Sequence, residues 1–291
     1  MTVQDSSWIA GKTCMVTGAN SGIGKATASG LASMGAKIVM VSRDSAKAEA
    51  ARGEVVQAPG TKKEDVSIMI ADLSSLESVR KLAEDFLASG RPLHVLVNNA
   101  GLILGSRTVT RDGLEATFEV NYLSHFLLTN LLLGLLKSNA PSRIINVSSS
   151  AHTGGHMDFQ DLQEEKGYGS MKSYSQSKLA QILFTRELAE KLGGTGVTVN
   201  AVHPGLVATN WGTRSGGMFS FGVRLGHPFM IGPEKGADTV VYLASSPEVA
   251  NVTGKYFFKR KVTPSSAESM SDADAKTLWD VSMKLTGLRA G

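Results

Sequence analysis

Short apolar segments alternate with amphipathic ones along most of the chain. Seven segments rich in Val and Ile are apolar nearly throughout, as expected of parallel strands covered on both faces. These predicted strands are Thr13–Thr17, Lys37–Ser42, Val66–Ala71, Val95–Asn98, Arg143–Val147, Val197–Val202 and Lys255–Phe258. Their alternation with helical patterns predicts an α/β fold with a doubly wound parallel sheet of about seven strands and helices on both faces.

The segments between these strands show helical periodicity. Ser74 and Glu77 form a capping box at the start of one predicted helix, and Pro233 suits the first turn of another. We find no internal repeat in the sequence and no linker that would divide it into two domains. We therefore predict one domain over residues 1–291, with a core at about 10–258 and a C-terminal extension at 259–291.

Two segments interrupt the alternation, one at 151–172 and one at 211–231. Both follow the carboxyl ends of predicted strands, where open α/β sheets bind ligands. The second is rich in Gly, Phe and Met, and its apolar side chains are expected to be covered. We predict a substrate loop at 209–231, with Trp211, Phe219 and Phe221 as walls of a lipophilic pocket. The alternative is that these side chains pack in the core or at a subunit interface.

Composition and charge narrow the function classes. The net charge is +4, from 30 basic and 26 acidic residues without a dense basic run, so nucleic-acid binding is not expected. One cysteine, Cys14, permits no internal disulfide and fits a reducing compartment. The first residues do not form a signal peptide, and the longest apolar stretch, 126–136, is too short to span a bilayer. We expect a cytoplasmic protein without a transmembrane segment.

A glycine cluster follows the first predicted strand and opens the first predicted helix. Glycines at this junction allow a tight turn and a close approach of the backbone to a pyrophosphate at the helix N-terminus. The predicted phosphate-binding residues are Gly18, Asn20, Ser21, Gly22, Ile23 and Gly24. Glycines also serve ordinary turns, but this position in this alternation favours a dinucleotide site.

Arg43 stands nineteen residues beyond Gly24, after the second predicted strand. An acidic residue near this point would bind the ribose 2′-hydroxyl of NAD, whereas an arginine suits the 2′-phosphate of NADP. Lys25 adds positive charge, and Asp44 follows Arg43 directly. The pattern favours NADP(H), with NAD(H) as the alternative.

Tyr174 and Lys178 stand four residues apart, which places them on one face of a helix. A cation beside a phenol favours the phenolate, so the pair suits general acid–base chemistry near neutral pH. Tyr168 and Lys172 have the same spacing, but glycines flank Tyr168 and disfavour a helix there. We prefer Tyr174 and Lys178.

His152 and His156 also stand four apart. Two glycines lie between them, and no Cys or acidic cluster completes a site, so no metal centre is expected.

The glycine cluster, Asn98-Asn99-Ala100-Gly101 and the Tyr174/Lys178 pair occur in this order, and the chain resembles the short-chain dehydrogenases/reductases over about residues 10–258. The resemblance implies a Rossmann-type fold. It also implies that Asn121 is the active-site asparagine and that Ser149 holds the substrate carbonyl. Further cofactor contacts are implied for Asp72, Leu73, Asn98, Ala100, Gly101, Tyr174, Lys178, Pro204, Gly205, Val207 and Thr209.

Within that family the sequence is most similar to retinol-dehydrogenase-like members. The likeness lies in the segments 146–152, 161–166 and 177–184, and the insertion at 151–172 is shared with that group. Such members usually prefer NADP(H), in agreement with Arg43. Many carry an N-terminal membrane anchor, which this sequence does not show.

These observations predict an NADP(H)-dependent oxidoreductase that interconverts a lipophilic, retinal-like aldehyde or ketone and its alcohol. Tyr174 is the general acid/base, Lys178 lowers its pKa and binds the nicotinamide ribose, and Ser149 binds the carbonyl oxygen. Asn121 holds a water that links Lys178 to solvent.

Several alternatives stay open. Ser148 or Ser150 could replace Ser149 in its role. The chain could be a catalytically silent NADP-binding regulatory or scaffold protein. The helices at 121–136 and 174–192 could pair in a homo-oligomer.

Overall fold

The computed structural model describes residues 8–206 and 231–289. Within them lies one eight-stranded sheet with the order β3-β2-β1-β4-β5-β6-β7-β8. Its strands are β1 Thr13–Thr17, β2 Lys37–Ser42, β3 Val66–Ile70, β4 Val95–Asn98, β5 Ser142–Val147, β6 Val197–Val202, β7 Tyr256–Phe258 and β8 Lys261–Val262. Strands β1 to β7 pair in parallel, and β8 pairs antiparallel with β7. The predicted parallel sheet is confirmed.

Strand β8 was not predicted, because it is two exposed residues long and carries no apolar pattern. It is joined to β7 by Lys259 and Arg260, whose φ angles are 49° and 62°. Positive φ at both central residues is the geometry of a two-residue hairpin turn that matches the twist of its strands. The turn adds an antiparallel edge to an otherwise parallel sheet.

Helices cover both faces of the sheet. They are α1 Gly22–Ala32, α2 Ser45–Val55, α3 Leu76–Ala88, α4 Ala116–Phe118, α5 Ser124–Ser138, α6 Ser170–Lys191, α7 Pro233–Ser245 and α8 Asp272–Thr286. A π-helical turn, Glu119–Leu123, joins α4 to α5.

Successive strand residues point to opposite faces. Met15 therefore packs in one apolar cluster with side chains of α3, α5, α6 and α8, whereas Cys14 and Val16 pack in the other with α1, α2 and α7. The sheet is thus covered on both sides, as the apolar strand sequences predict.

The C-terminal extension completes this fold. Helix α8 packs on α6, and the ring of Trp279 lies 5.0 Å from that of Phe126 and 6.0 Å from that of Phe184. The Tyr122 hydroxyl hydrogen-bonds Ser282 Oγ at 2.7 Å. The chain's own α8 therefore covers part of the α5/α6 surface that the sequence suggested for a second subunit, and the oligomeric state stays a prediction.

Among the described helices none has the length and apolar character needed to cross a membrane. The cytoplasmic location expected from the sequence stays a prediction.

Candidate active site

A cleft of about 1050 Å³ opens at the carboxyl ends of the parallel strands. Loops after β1, β2, β3 and β4 border it, with the first half of α6 on the other side. Most of the predicted cofactor residues line this cleft: Gly18, Asn20, Ser21, Gly22, Ile23, Gly24, Arg43, Asp72, Leu73, Ala100, Gly101, Tyr174, Lys178 and Pro204. Residues from distant parts of the chain thus meet where open α/β sheets bind nucleotides.

Asn98 does not line the cleft, contrary to the predicted cofactor contact. It is fully buried, and its Nδ2 donates to Thr129 Oγ1 at 3.0 Å and to Asn146 Oδ1 at 2.8 Å. The next residue, Asn99, faces the cleft instead. Asn98 therefore stabilises the ends of β4 and β5 from inside the core.

Of the remaining predicted cofactor contacts and pocket walls, only Gly205 lies within the described residues. Gly205 adopts a φ of +92° and is not among the lining residues. The other predicted contacts, Val207, Thr209, Trp211, Phe219 and Phe221, lie outside the described residues.

The glycine loop has the form that a pyrophosphate requires. Gly18 and Gly22 have φ angles of 66° and 53°, which favour glycine. A Cβ on Gly24 would collide with the Gly18 carbonyl oxygen and lie 2.5 Å from Asn99 Nδ2. Ser21, the N-cap of α1, makes no side-chain hydrogen bond to the helix. The first amides of α1 therefore remain for an anion, and this geometry fits a dinucleotide.

Replacing Gly24 by alanine is expected to lower NADPH affinity at least tenfold and to destabilise the fold by about 1–3 kcal/mol, since overpacking displaces backbone. Gly53→Ala is the matched control. Gly53 lies in α2, where an added Cβ meets nothing within 4 Å, so this change should raise stability by about 0.5–1 kcal/mol. NADPH fluorescence titration and thermal unfolding measure both quantities. Equal NADPH affinity in the two variants would contradict the close-packed loop.

Positive side chains stand at the end of β2. Arg43 is exposed and lines the cleft together with Lys47. The Asp44 carboxylate accepts a hydrogen bond from the Lys47 backbone N–H at 3.0 Å and pairs with Lys47 Nζ at 3.3 Å. Asp44 therefore serves as the N-cap of α2. Lys25 also pairs with a carboxylate, that of Glu54, so Arg43 contributes most of the uncompensated positive charge here.

Tyr174 and Lys178 lie on the inner face of α6, as their spacing predicts. Lys178 Nζ lies 5.5 Å from the centroid of the Tyr174 ring. Burial raises the pKa of Tyr174, and a hydrogen bond with Ser149 opposes the rise. Burial lowers the pKa of Lys178 to about 7. The expected lowering of the Tyr174 pKa by the cation is therefore not seen, because the loss of solvent from both groups dominates.

The three candidate serines have different surroundings. Ser149 hydrogen-bonds the phenol of Tyr174, whereas Ser148 is buried and donates to the Lys178 carbonyl at 2.8 Å. Ser150 is exposed at the start of a 3₁₀ turn, Ser150–Gly154. The geometry therefore places Ser149 beside Tyr174, although only Ser148 of the three is among the cleft-lining residues.

The alternative pair, Tyr168 and Lys172, has different surroundings. Tyr168 precedes the start of α6, and its hydroxyl donates to the Leu104 carbonyl at 2.9 Å. Lys172 is exposed.

Asn121 lies in the π-helical turn, behind the cleft wall. Its Nδ2 donates to the Leu102 carbonyl at 2.9 Å and to Ser177 Oγ at 3.0 Å, and its Oδ1 accepts from the Leu102 N–H at 2.7 Å. Insertions of π-helical turns often occur at functional sites. The side chain of Asn121 thus fixes the loop after β4 against α6.

Three buried residues near Tyr174 and Lys178 were not predicted from the sequence: Thr17, His125 and Gln181. Thr17 Oγ1 accepts from the N–H groups of Asn99 and Ala100 and hydrogen-bonds His125 Nε2 at 2.9 Å. The spacing of two of them was a usable signal. His125 follows Asn121 by one helical turn and Gln181 follows Lys178 by three residues, so each lies on the same helix face as a predicted site residue.

The His125 tautomer follows from its partners. Nδ1 faces the Asn121 carbonyl at 3.1 Å, which only accepts, so Nδ1 carries the proton and Thr17 donates to Nε2. Burial lowers the pKa of His125 to about 3, in agreement with a neutral ring.

No group of three or more His, Cys, Asp or Glu side chains suited to a metal occurs within residues 8–206 and 231–289. His152 of the suspected pair instead donates from Nδ1 to the Ser149 carbonyl at 2.7 Å, and its Nε2 accepts from the Ser266 N–H at 3.1 Å.

Known proteins with similar sequences and structures place the chain in a family. A sequence profile of the short chain dehydrogenases matches residues 12–216. Retinol dehydrogenase 14 of Mus musculus is 46% identical over 96% of this chain and 86% of its own length. An uncharacterised protein of Mycobacterium paratuberculosis has a similar crystal structure, with a TM-score of 0.76 and 33% identity over 97% of each chain.

A third likeness concerns a structure with a bound nucleotide. The 3-ketoacyl-(acyl-carrier-protein) reductase of Brucella melitensis, complexed with NADH, matches with a TM-score of 0.67 and 25% identity, over 86% of this chain and 96% of that one. The chain belongs to the short-chain dehydrogenase/reductase family. It is an oxidoreductase that acts on CH–OH groups, with a cofactor of the NAD(P)(H) class.

Proposed function

We propose that the chain is an NADP(H)-dependent reductase of lipophilic aldehydes or ketones, including retinal-like ones, and a dehydrogenase of the corresponding alcohols. The observation that carries the proposal is the contact of Ser149 with Tyr174, with Lys178 one helical turn behind, at the end of a cleft suited to a dinucleotide. A scaffold protein has no physical need for this arrangement.

Ser149 and Tyr174 have separate roles in this reaction. A bound nicotinamide cofactor supplies the hydride for reduction or accepts it in the reverse direction. Ser149 donates a hydrogen bond to the substrate oxygen and stabilises its developing negative charge. Tyr174 delivers the proton to that oxygen. The phenol is protonated at neutral pH, as an acid for reduction must be, and because burial raises its pKa the donation depends on the charge of Lys178 nearby.

Lys178 contributes charge and position. Burial holds its pKa at about 7, so both the ammonium and the neutral amine are populated near neutrality. The ammonium stabilises negative charge that develops on Tyr174 as the phenol gives up its proton. We propose that it also binds the nicotinamide ribose, since it lines the cleft beside Gly101.

Two observations support the choice of ligands. Arg43 just after β2 and Lys47 in the first turn of α2 suit the 2′-phosphate of NADP, while Asp44 is engaged as a helix cap. The relative described above is a retinol dehydrogenase, and the cleft lining includes the apolar residues Leu102, Ile103 and Leu104. A lipophilic carbonyl substrate is consistent with both.

A panel of aldehydes and ketones that includes retinal, assayed with NADPH and with NADH, tests the proposal. We expect turnover with NADPH, and a higher kcat/KM for bulky apolar aldehydes than for small polar ones. Equal activity on both substrate types would contradict the lipophilic pocket. Cofactor binding without turnover on any carbonyl would instead support a scaffold protein.

A further inference from the structure

A buried glutamine lies directly behind Lys178. Gln181 is 1% exposed, and Tyr174, Lys178 and Gln181 follow one another at spacings of four and three residues on α6. This spacing puts the three side chains on one face of the helix. The Gln181 amide touches Lys178 on one side and the π-helical turn of Asn121 on the other.

The orientation of this amide is set by its partners. Lys178 Nζ donates to Gln181 Oε1 at 3.1 Å, and Gln181 Nε2 donates to the Asn121 carbonyl oxygen at 2.7 Å. An ammonium has only donors and a carbonyl only accepts, so a flipped amide would face two like groups. Gln181 therefore bridges the ammonium to the main chain of Asn121.

The carbonyl at the far end of the bridge is itself held in place. It also accepts from His125 Nδ1 at 3.1 Å, so both of its lone pairs are used by buried side chains. His125 is anchored in turn by Thr17 at the end of β1. The bridge thus connects Lys178 to the strand that carries the glycine loop.

Lys178 has a second fixed partner on the sheet. Its Nζ donates to the Val147 carbonyl at the end of β5 at 2.9 Å. Two of its three N–H donors are therefore committed to rigid acceptors, and the third is available to a ligand in the cleft. Both acceptors are neutral, so neither attracts the ammonium as strongly as a carboxylate would.

We propose that Gln181 is a positioning residue that holds the ammonium of Lys178 against the cleft by tying it to the Asn121 carbonyl. The inference rests on the proposed function, in which Lys178 acts at the cofactor. Gln181 links Lys178 to the main chain of Asn121, the residue on which the sequence predicts a water that leads to solvent. An amide N–H does not accept a proton, so this bridge orients the ammonium and does not conduct protons.

The surroundings of Lys178 allow a test by pH. Within residues 8–206 and 231–289, the titratable groups that interact with Lys178 are Tyr174 on the same helix and His125 on α5, and β5 contributes the Val147 carbonyl. Burial keeps the pKa of His125 at about 3, so this ring does not titrate near neutrality. A change of the pH profile between variants therefore reports on Lys178 or Tyr174.

The decisive variant is Gln181→Met, which keeps the side-chain length and removes both hydrogen bonds. We expect kcat/KM for NADPH-dependent reduction to fall roughly tenfold, the size of a lost hydrogen bond to a charged group. Removing an acceptor disfavours the ammonium, so the alkaline limb of the pH profile should move down by about one unit. The Gln181→Glu variant keeps an acceptor and adds a negative charge, so the alkaline limb of its pH profile should move to higher pH.

Gln176→Met is the matched control. Gln176 is a second buried glutamine of α6, but its Nε2 donates to the Leu162 carbonyl at 3.0 Å, away from Lys178. Gln176 Oε1 is buried without a partner among the described residues, so this variant should lose no more stability than Gln181→Met and keep the wild-type pH profile. Overlapping profiles of wild type and Gln181→Met, or equal losses in both methionine variants without a shifted limb, would overturn the positioning role.

A binding measurement separates this inference from the proposed function. NADPH affinity of each variant is followed by fluorescence between pH 6 and 9, a window around the pKa of about 7 for Lys178. We expect the affinity transition to move down in Gln181→Met and up in Gln181→Glu, while titration of the NADPH phosphate is common to all. Unshifted transitions with active wild-type protein would refute the bridge alone. If the affinity transitions shift but no protein, including the wild type, turns over any carbonyl, the proposed activity is refuted and the bridge is retained.

Discussion

Replacing Tyr174 by phenylalanine should lower kcat for NADPH-dependent aldehyde reduction by roughly 10³-fold, within the range that general acid catalysis supplies. The ring remains and only the hydroxyl is lost, so the packing of this buried side chain is kept. Ser149 loses one hydrogen bond but still accepts from the Ala151 N–H at 3.2 Å, so the cost in stability should stay below about 1 kcal/mol. NADPH affinity should change less than about threefold, since the ring stays in place.

Tyr168→Phe is the control for this experiment. It also removes one hydroxyl, at the position of the alternative pair, where the bond to the Leu104 carbonyl is structural. Its turnover should stay near that of the wild type. Stopped-flow or steady-state NADPH absorbance measures both. If Tyr174→Phe kept more than about a tenth of the wild-type kcat, the acid would have to be another group.

The central strands were predictable because both of their faces are covered. A parallel strand between two helical layers is apolar at nearly every position, and β2, for example, is buried along Ile38–Ser42. Strand β8 lacks this signal, since it lies at the edge and is exposed. Its pairing depends on the turn at Lys259 and Arg260, which no apolar pattern marks.

The buried position of the Asn98 side chain could not be predicted from the sequence. Neighbouring residues at a strand end point in opposite directions, so either Asn98 or Asn99 could face the cleft. The sequence carries both amides and does not indicate the register. The structure turns Asn98 into the core, onto Thr129 and Asn146.

The placement of Tyr174 and Lys178 was predictable, but their pKa values were not. The spacing of Tyr174 and Lys178 is local, and it places both on one face of α6. The pKa values depend on burial by distant segments. His125 and Gln181 were missed for the same reason, because their partners Thr17 and Asn121 stand 108 and 60 residues away.

Replacing Arg43 by aspartate should reverse the cofactor preference, which makes it the sharpest test of the NADP proposal. The guanidinium stands at the end of β2 on the cleft, where the 2′-phosphate of NADP would lie. Losing a charged hydrogen bond and placing a carboxylate there should lower kcat/KM for NADPH by roughly 100-fold or more. The carboxylate can accept from the ribose 2′-hydroxyl of NADH, so kcat/KM for NADH should fall little or rise.

Lys81→Asp is the matched control for this change of charge. Lys81 lies on α3, pairs with Asp85 on the surface at 3.0 Å and is not among the cleft-lining residues. Surface ion pairs of this kind contribute at most about 1 kcal/mol, so folding should be retained and the ratio of NADPH to NADH activity unchanged. Because the attraction of a phosphate is screened by salt, the preference of the wild type for NADPH should also weaken as ionic strength rises. A ratio that is unchanged in Arg43→Asp would show that Arg43 does not read the 2′ position, and Lys47, the other cation on this part of the cleft, would then be the group to replace.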